Sequence, residues 1–351
     1  MNQPTLLLLF GGSGPEHEIS LRSAAAVSDA LRAASYPHRT VGITRLGAWY
    51  LFRGNTRRIA DGSWEHCSES LSPVLPCPGG LTVTDTGEVL RDAVVFPCLH
   101  GTDGEDGRLQ GLLELYKIPY IGCRAEASVL CMNKSITKDL LLLSHVPMAG
   151  KVSADISDDA DATRLASRAE TRFLYPMFVK PARSGSSIGA SIVRSRDECI
   201  SAIIAASLCD RTVMVERFVK GRELELAVLE APSSGLLVSP PCEPIYRSEF
   251  YDYNAKYKGK GARLAIPANL PKHTADVLVS LSERIFRLLG CRHLARIDFF
   301  VGENGEVLFN EINTLPGMTE VSVFPAAMAY LGHPIADWLP ALAKAVCEEA
   351  D

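Results

Sequence analysis

No stretch of this 351-residue sequence approaches the roughly 20 consecutive apolar residues that cross a bilayer. Its longest apolar runs, such as Leu6 to Phe10 and Leu140 to Leu143, are far shorter, so no membrane partner is expected. A basic block is missing too. The 36 Lys and Arg and the 41 Asp and Glu are spread along the chain for a net charge of -5, which leaves no electrostatic footprint for nucleic acid. Ten cysteines occur without a single Cys-x-x-Cys pair, so they are expected to be free, mostly buried thiols. No basic residue precedes Thr5 to Phe10, and that run leads straight into Gly11 rather than a cleavage site, so the expected location is the cytoplasm. Two common nucleotide-binding signatures are absent as well. Gly12-Ser13-Gly14-Pro15-Glu16-His17 lacks the third glycine of a dinucleotide fingerprint, and Gly259-Lys260 is followed by Gly261 rather than Ser or Thr. What remains is a globular chain, 47% hydrophobic, long enough for two or three domains.

Its elements alternate. Thr5 to Phe10 reads as a buried strand ending in Gly11-Gly12-Ser13-Gly14-Pro15, and a helix from Ser20 to about Ala34 follows with Leu21, Ala25, Ser28 and Leu31 on one face. Ala93 to Pro97 is a second strand, ending in the Gly-rich turn His100 to Gly107 before a helix over Leu109 to Tyr116. This alternation predicts a parallel sheet with both loops at its ligand crevice. A helical stretch from Ala125 to Leu143 spans a first boundary near Asn133. Strands at Met177 to Lys180, Ile188 to Val193 and Thr212 to Glu216 give the next segment an α+β character. A third segment starts near Glu223 and holds a strand from Leu224 to Glu230, an irregular stretch from Tyr246 to Ala262, and a helix from His273 to Leu289. That irregular stretch is longer than most connections, which favours a functional lid. The expected division is 1–132, 133–222 and 223–351.

The most informative run is Arg296-Ile297-Asp298-Phe299-Phe300 with Leu308-Phe309-Asn310-Glu311-Ile312-Asn313. Side chains two apart on a strand share a face, so Glu311 and Asn313 aim together and Asp298 joins them from the neighbouring strand. Three hard oxygen donors in apolar strands suit Mg²⁺, whose other positions go to water and nucleotide phosphates. The pattern implies a user of metal-bound ATP; a plain Asn304-Gly305 hairpin explains the turn but not the embedded carboxylates. Lys180 ends a strand just before Ser184-Gly185-Ser186-Ser187-Ile188-Gly189, either a phosphate cover with its counter-charge or an ordinary turn. Glu216 and Glu223 suit adenine and ribose donors, or surface ion pairs. Glu16, behind a loop rich in N–H groups, suits an ammonium, and Lys256, between Tyr253 and Tyr257, suits a phosphate as a loop closes.

Together these residues closely resemble the D-alanine:D-alanine ligases and the related vancomycin-resistance ligases of the ATP-grasp superfamily. The likeness spans essentially the whole chain, through Phe10 to Ser20, Leu99 to Gly107, Val179 to Gly189, Tyr251 to Tyr257 and Asn310 to Thr319. It implies an ATP-grasp fold of three domains, an N-terminal parallel α/β domain and two α+β domains enclosing ATP. It also implies a homodimer that uses ATP and two Mg²⁺ ions, with Mn²⁺ able to substitute. In the implied reaction ATP phosphorylates one D-alanine and the amine of a second attacks the acyl phosphate. By family position Glu16 receives the first ammonium, His100 lies near its carboxylate, and Ser186 bridges Glu16 to Tyr257. Lys134, Lys180 and Ser187 meet ATP phosphates, Glu216, Phe218, Val219 and Glu223 surround adenine and ribose, and Lys256 reaches the transferred phosphate. Arg296 and the N–H of Gly317 hold the oxyanion, Ser322 holds the second carboxylate, and Asp298, Glu311 and Asn313 bind metal.

Three positions depart from the commonest family pattern: Asn133 for Asp, Phe218 for Trp, and Val323 for Leu or Arg in the acceptor pocket. Tyr253, Lys256 and Tyr257 match the dipeptide-forming members rather than those that use lactate. D-alanine is therefore the expected acceptor and D-serine the alternative.

Overall fold

The computed structural model describes residues 3–245 and 263–350. The expected lid, with Tyr253, Lys256 and Tyr257, lies outside the described residues. The run of leucines after Thr5 forms β1 (Thr5–Gly11), buried on both faces, as the continuous apolar sequence requires. It lies parallel to β2 (His38–Ile43) on one side. The rest of this sheet is β3 (Trp49–Phe52), β4 (Leu71–Cys77), β5 (Gly80–Val83), β6 (Val89–Leu90) and β7 (Ala93–Pro97). β7 lies parallel to β1 on its other side, and the strand order is β6-β5-β4-β3-β2-β1-β7. The expected parallel sheet is thus corrected to a mixed one. Only β2, β1 and β7 run parallel; β3 to β6 each pair antiparallel with the strand before, and the short helix Thr56–Ala60 between β3 and β4 returns the chain antiparallel rather than crossing to a parallel strand. Helix α1 (His17–Ala33) begins three residues before the expected start and packs on β1.

Between Ala125 and Leu143 the chain forms two helices rather than one. Asn133 leaves helical geometry at φ -86° and ψ 87°, and its side chain accepts the N–H of Ile136 (3.2 Å), capping the second helix, Lys134–Leu143. Asn caps as well as Asp does, which is why the departure at this position is tolerated. A second sheet has the order β10-β9-β11-β8, from β8 (Lys151–Asp155), β9 (Met177–Pro181), β10 (Ser191–Val193) and β11 (Thr212–Arg217). Helices Asp159–Glu170 and Arg196–Ser207 cover it and complete a separate core around Val179, Leu165 and Ile203. The strand expected from Ile188 starts only at Ser191, because Ile188 and Gly189 belong to the preceding turn.

A third sheet, β13-β12-β16-β17, contains β12 (Gly221–Ala231), β13 (Gly235–Val238), β16 (Leu294–Gly302) and β17 (Val307–Asn313). The residues on either side of the expected lid stretch pair with each other as β14 (Glu243–Ile245) and β15 (Arg263–Ala265). Position 223 falls inside β12, so no linker separates the second and third segments there. One core joins the first and third segments: Phe10, Trp64 and Phe96 share it with Ala227, Phe324 and Leu342. Trp338 sits at its centre, edge-on to Phe96 (6.2 Å) and Phe324 (5.8 Å).

Gly42 of β2 marks how tightly the N-terminal part is packed. A Cβ there would lie 2.4 Å from the ring of fully buried Trp64 and 2.9 Å from Phe10. Gly42→Ala is expected to destabilise the protein by about 1–3 kcal/mol through overpacking, read as a lowered urea midpoint with unchanged slope.

Candidate active site

Register between β16 and β17 sets the chemistry. Asp298 faces Glu311 and Arg296 faces Asn313, but Phe299 then pairs with Phe309, so Asn310 is an extra, bulged residue. Neighbours on a regular strand point apart; here Asn310 and Glu311 line the same cavity. Asp298, the register partner of Glu311, is buried, with its two oxygens accepting Arg296 Nε (2.8 Å) and a terminal guanidinium nitrogen (2.7 Å). Asn313 Nδ2 also donates to Asp298 (3.2 Å), and Arg296 Nε lies 2.9 Å from Glu225. Burial would lower the pKa of Arg296, but the Asp298 and Glu225 charges outweigh it and raise the value. Among the described residues no group of three His, Cys, Asp or Glu gathers to hold a metal. Asp298, Glu311 and Asn313 nevertheless adjoin as two carboxylates and an amide, oxygen donors of the kind Mg²⁺ takes alongside phosphate oxygens. The donor set fits, with Arg296 and Lys134, 3.4 Å from Glu311, supplying the compensating charge here.

The larger of two adjoining cavities, about 240 Å³, lies between the second and third sheets. It is lined by Lys134, Lys180, Ser187, Glu216, Phe218, Val219 and Glu223, every expected nucleotide contact except Lys256, which is outside the described residues. Lys134 donates to the carbonyl of Ser184 (2.7 Å) and so ties the second helix to the small-residue loop. Ser186 and Ser187 take φ of 50° and 58°, a region non-glycine residues seldom occupy and one that recurs at functional loops. Lys180 lies 2.9 Å from Glu216 and donates to Asn310 (3.3 Å).

Glu216 differs from expectation. One of its oxygens pairs with Lys180 and the other with Lys138, so the carboxylate secures two lysines instead of standing open to an adenine amino group. Burial would raise its pKa, but the two ammonium groups pull it down to about 2. Lys138, almost wholly buried, was not singled out in the sequence. Its signal is its spacing: it lies four residues after Lys134, on the same face of one helix.

The smaller cavity, about 90 Å³, is lined by Glu16, His100, Ser186, Arg296, Gly317, Ser322 and Val323. Ser186 donates a short hydrogen bond to Glu16. Two glycines let that carboxylate lie close: a Cβ on Gly101, at φ +61°, would sit 1.9 Å from Glu16 Oε2, and one on Gly185 2.9 Å away. Both ring nitrogens of His100 already have protein partners, Ser23 Oγ at Nε2 and the Leu315 carbonyl at Nδ1, each 3.0 Å away. His100 therefore borders the cavity with its ring while its polar atoms face protein. Ser322 Oγ accepts the N–H of Thr319 (3.1 Å) at the start of helix Val323–Tyr330. Glu105, another residue not singled out, also lines the cavity. Burial, and then the charge of Glu16, raise its carboxyl to about 7. Ser186 and Glu311 border both cavities.

Residues 5–123 match the family described as D-ala D-ala ligase N-terminus, and residues 143–342 match D-ala D-ala ligase C-terminus. The sequence is 38% identical to a D-alanine–D-alanine ligase of Caldicellulosiruptor bescii, across 99% of this chain and 96% of that protein. It is 39% identical to D-alanine–D-alanine ligase A of Mesorhizobium japonicum, across 93% and 92%. Among solved structures, the VanG D-Ala:D-Ser ligase of Enterococcus faecalis superposes with a TM-score of 0.87 at 32% identity, covering 98% of this chain and all of that one. The D-alanine-D-alanine ligase of Coxiella burnetii gives 0.83 at 30% identity, covering 99% and 96%.

The Lys138–Glu216–Lys180 cluster makes a direct prediction. Glu216→Gln leaves two buried ammonium groups without their shared carboxylate, so stability falls by roughly 3–5 kcal/mol, and ATP affinity falls as Lys180 is displaced. The pH dependence has a definite sign. The folded value near 2 lies below the ordinary 4.5, so this carboxylate's contribution is present above 4.5 and is lost as pH falls through about 2. Thermal melts of both proteins from pH 2 to 7 should therefore converge at the acid end.

Proposed function

The chain belongs to the D-alanine–D-alanine ligase family, and from that premise we propose that it uses ATP to join two D-alanines into the dipeptide required for peptidoglycan synthesis. The observation that carries this reading is the meeting of a nucleotide-sized and an amino-acid-sized cavity at Ser186 and Glu311. A terminal phosphate in the first abuts a carboxylate in the second. We assign the three parts 1–132, 133–222 and 223–351 as functional domains, in a homodimeric cytoplasmic enzyme, on the family likeness.

In this reading Lys134, Lys180 and the loop around Ser187 hold the ATP phosphates, while Phe218, Val219, Glu223 and the strand backbone at Glu216 frame adenine and ribose. Glu16 takes the ammonium of the first D-alanine beside the His100 ring. The D-alanine carboxylate oxygen attacks the terminal phosphorus, ADP leaves, and an acyl phosphate forms. Asp298, Glu311 and Asn313 would hold Mg²⁺, which would supply positive charge to the phosphate oxygens. Ser322 orients the second amino acid through its carboxylate. Its neutral amine attacks the acyl carbon, Arg296 and the N–H of Gly317 stabilise the oxyanion, and phosphate departs with the proton the nitrogen loses. Tyr257 and Lys256 are assigned from the family likeness to Ser186 and to the transferred phosphate. Water must be kept out, because an acyl phosphate hydrolyses readily.

D-alanine is the acceptor in the reading the curated relatives favour. D-serine is the second reading. It rests on Val323, which borders the smaller cavity, and on the likeness to a D-Ala:D-Ser ligase, with D-lactate less favoured. With ATP, Mg²⁺ and equal D-alanine and D-serine, D-alanyl-D-alanine is expected as the main product; a mixed D-alanyl-D-serine product would replace it under the second reading. Glu311→Gln removes one carboxylate at the junction of the cavities and is expected to lower turnover on the order of 10²-fold or more, with an unchanged circular dichroism spectrum. Wild-type turnover would refute the metal assignment.

A further inference from the structure

The segment Leu315–Met318, which follows β17 and carries Gly317, is gripped from the N-terminal domain by three buried side chains: Ser23, His100 and Glu105. The N–H of Met318 donates to Ser23 Oγ (3.2 Å), which lies 3.0 Å from His100 Nε2. His100 Nδ1 lies 3.0 Å from the Leu315 carbonyl, and the N–H of Leu315 donates to Glu105 Oε1 (3.1 Å). Glu105 Oε2 accepts the N–H of Gly101, next to His100 (2.8 Å). The ring of contacts therefore closes on itself.

The proton positions in this ring are determined by its acceptors. A carbonyl can only accept, so the His100 proton is on Nδ1. Ser23 Oγ already takes the Met318 N–H, which leaves its own hydrogen to donate to Nε2. A neutral imidazole satisfies every member, and burial lowers the pKa of His100 in the same direction. Nothing in the sequence marks Ser23, one of three buried serines in α1.

We infer that Ser23 is a positioning residue for ligation: by fixing the tautomer of His100 and holding Met318, it sets the peptide N–H of Gly317 against the oxyanion. This role rests on the proposed function, because that reading is what aims Gly317 at the reacting carbonyl. Glu105 grips the same segment from its other end. The ATP cavity borders neither Ser23 nor Glu105, so nucleotide binding should be insensitive to both.

The test uses the full-length protein, measuring dipeptide formation over D-alanine concentration and ATP affinity by calorimetry. For folded Ser23→Ala, kcat is expected to fall about 10-fold to 100-fold, the scale of one buried hydrogen bond left unmade, with ATP affinity within about twofold of wild type. Glu105→Gln, which turns an NH₂ against a backbone N–H, should show the same split and carries the test if Ser23→Ala does not fold. Combining the two should be less damaging than the product of their separate effects, because both act on one segment. An active wild type with undiminished kcat in the folded variants would overturn the inference alone, as would equal losses of turnover and ATP affinity. A wild type that makes no dipeptide would overturn the proposed function beneath it.

Discussion

Charge that is buried must be matched, and every part of this site depends on that constraint. Arg296 lies between Asp298 and Glu225, Lys134 beside Glu311, and Glu216 between Lys138 and Lys180. No member of these groups has enough water around it to be left alone, so each holds its partners in place before any ligand arrives. Such preorganisation serves phosphoryl and acyl transfer well. Most of the work in those reactions is stabilising charge that develops on oxygen, and fixed dipoles and cations need no rearrangement to do it. In the proposed reading a phosphate entering between Lys134 and Lys180 would compete with carboxylates already there, and a divalent cation would offset that competition.

The backbone places these charges through irregularities. The bulge at Asn310 turns two adjacent residues toward one cavity. Left-handed Ser186 and Ser187 shape the loop that links both cavities, and the absence of a side chain at Gly101 leaves room for Glu16. Regular strands supply the frame, and the departures from regularity aim the groups.

The sequence disclosed the parts of this design that depend on local pattern. β1, β7, β9, β11 and the hairpin of β16 and β17 follow from apolar runs bounded by Gly or polar turns, and Asp298, Glu311 and Asn313 stand out as polar residues in such runs. What stayed hidden depends on tertiary pairing. Lys138 reads as one more helix lysine until a strand brings Glu216 to it, and Ser23 and Glu105 reveal themselves only when Leu315–Met318 arrives from 295 and 210 residues away. Short strands look alike whether hairpins or crossovers join them, so the antiparallel half of the first sheet is not legible in the sequence. Asn133 reads from sequence only as a boundary; its backbone angles and side-chain bond make it a helix cap. Spacing alone does not separate a phosphate loop from an ordinary turn, so the cavity-lining residues are legible largely through the family likeness.

The core shared by the two ends of the chain has a consequence for biosynthesis. Phe96 leaves the ribosome long before Trp338, which caps it, and Leu6 and Phe10 likewise wait for partners around Phe324 and Leu342. The middle sheet, whose core draws only on residues between Val152 and Val215, has no such wait. Nascent chains therefore present a finished centre flanked by an apolar face still uncovered, and it is this first-made surface, rather than the last-made helix, that calls for protection during translation.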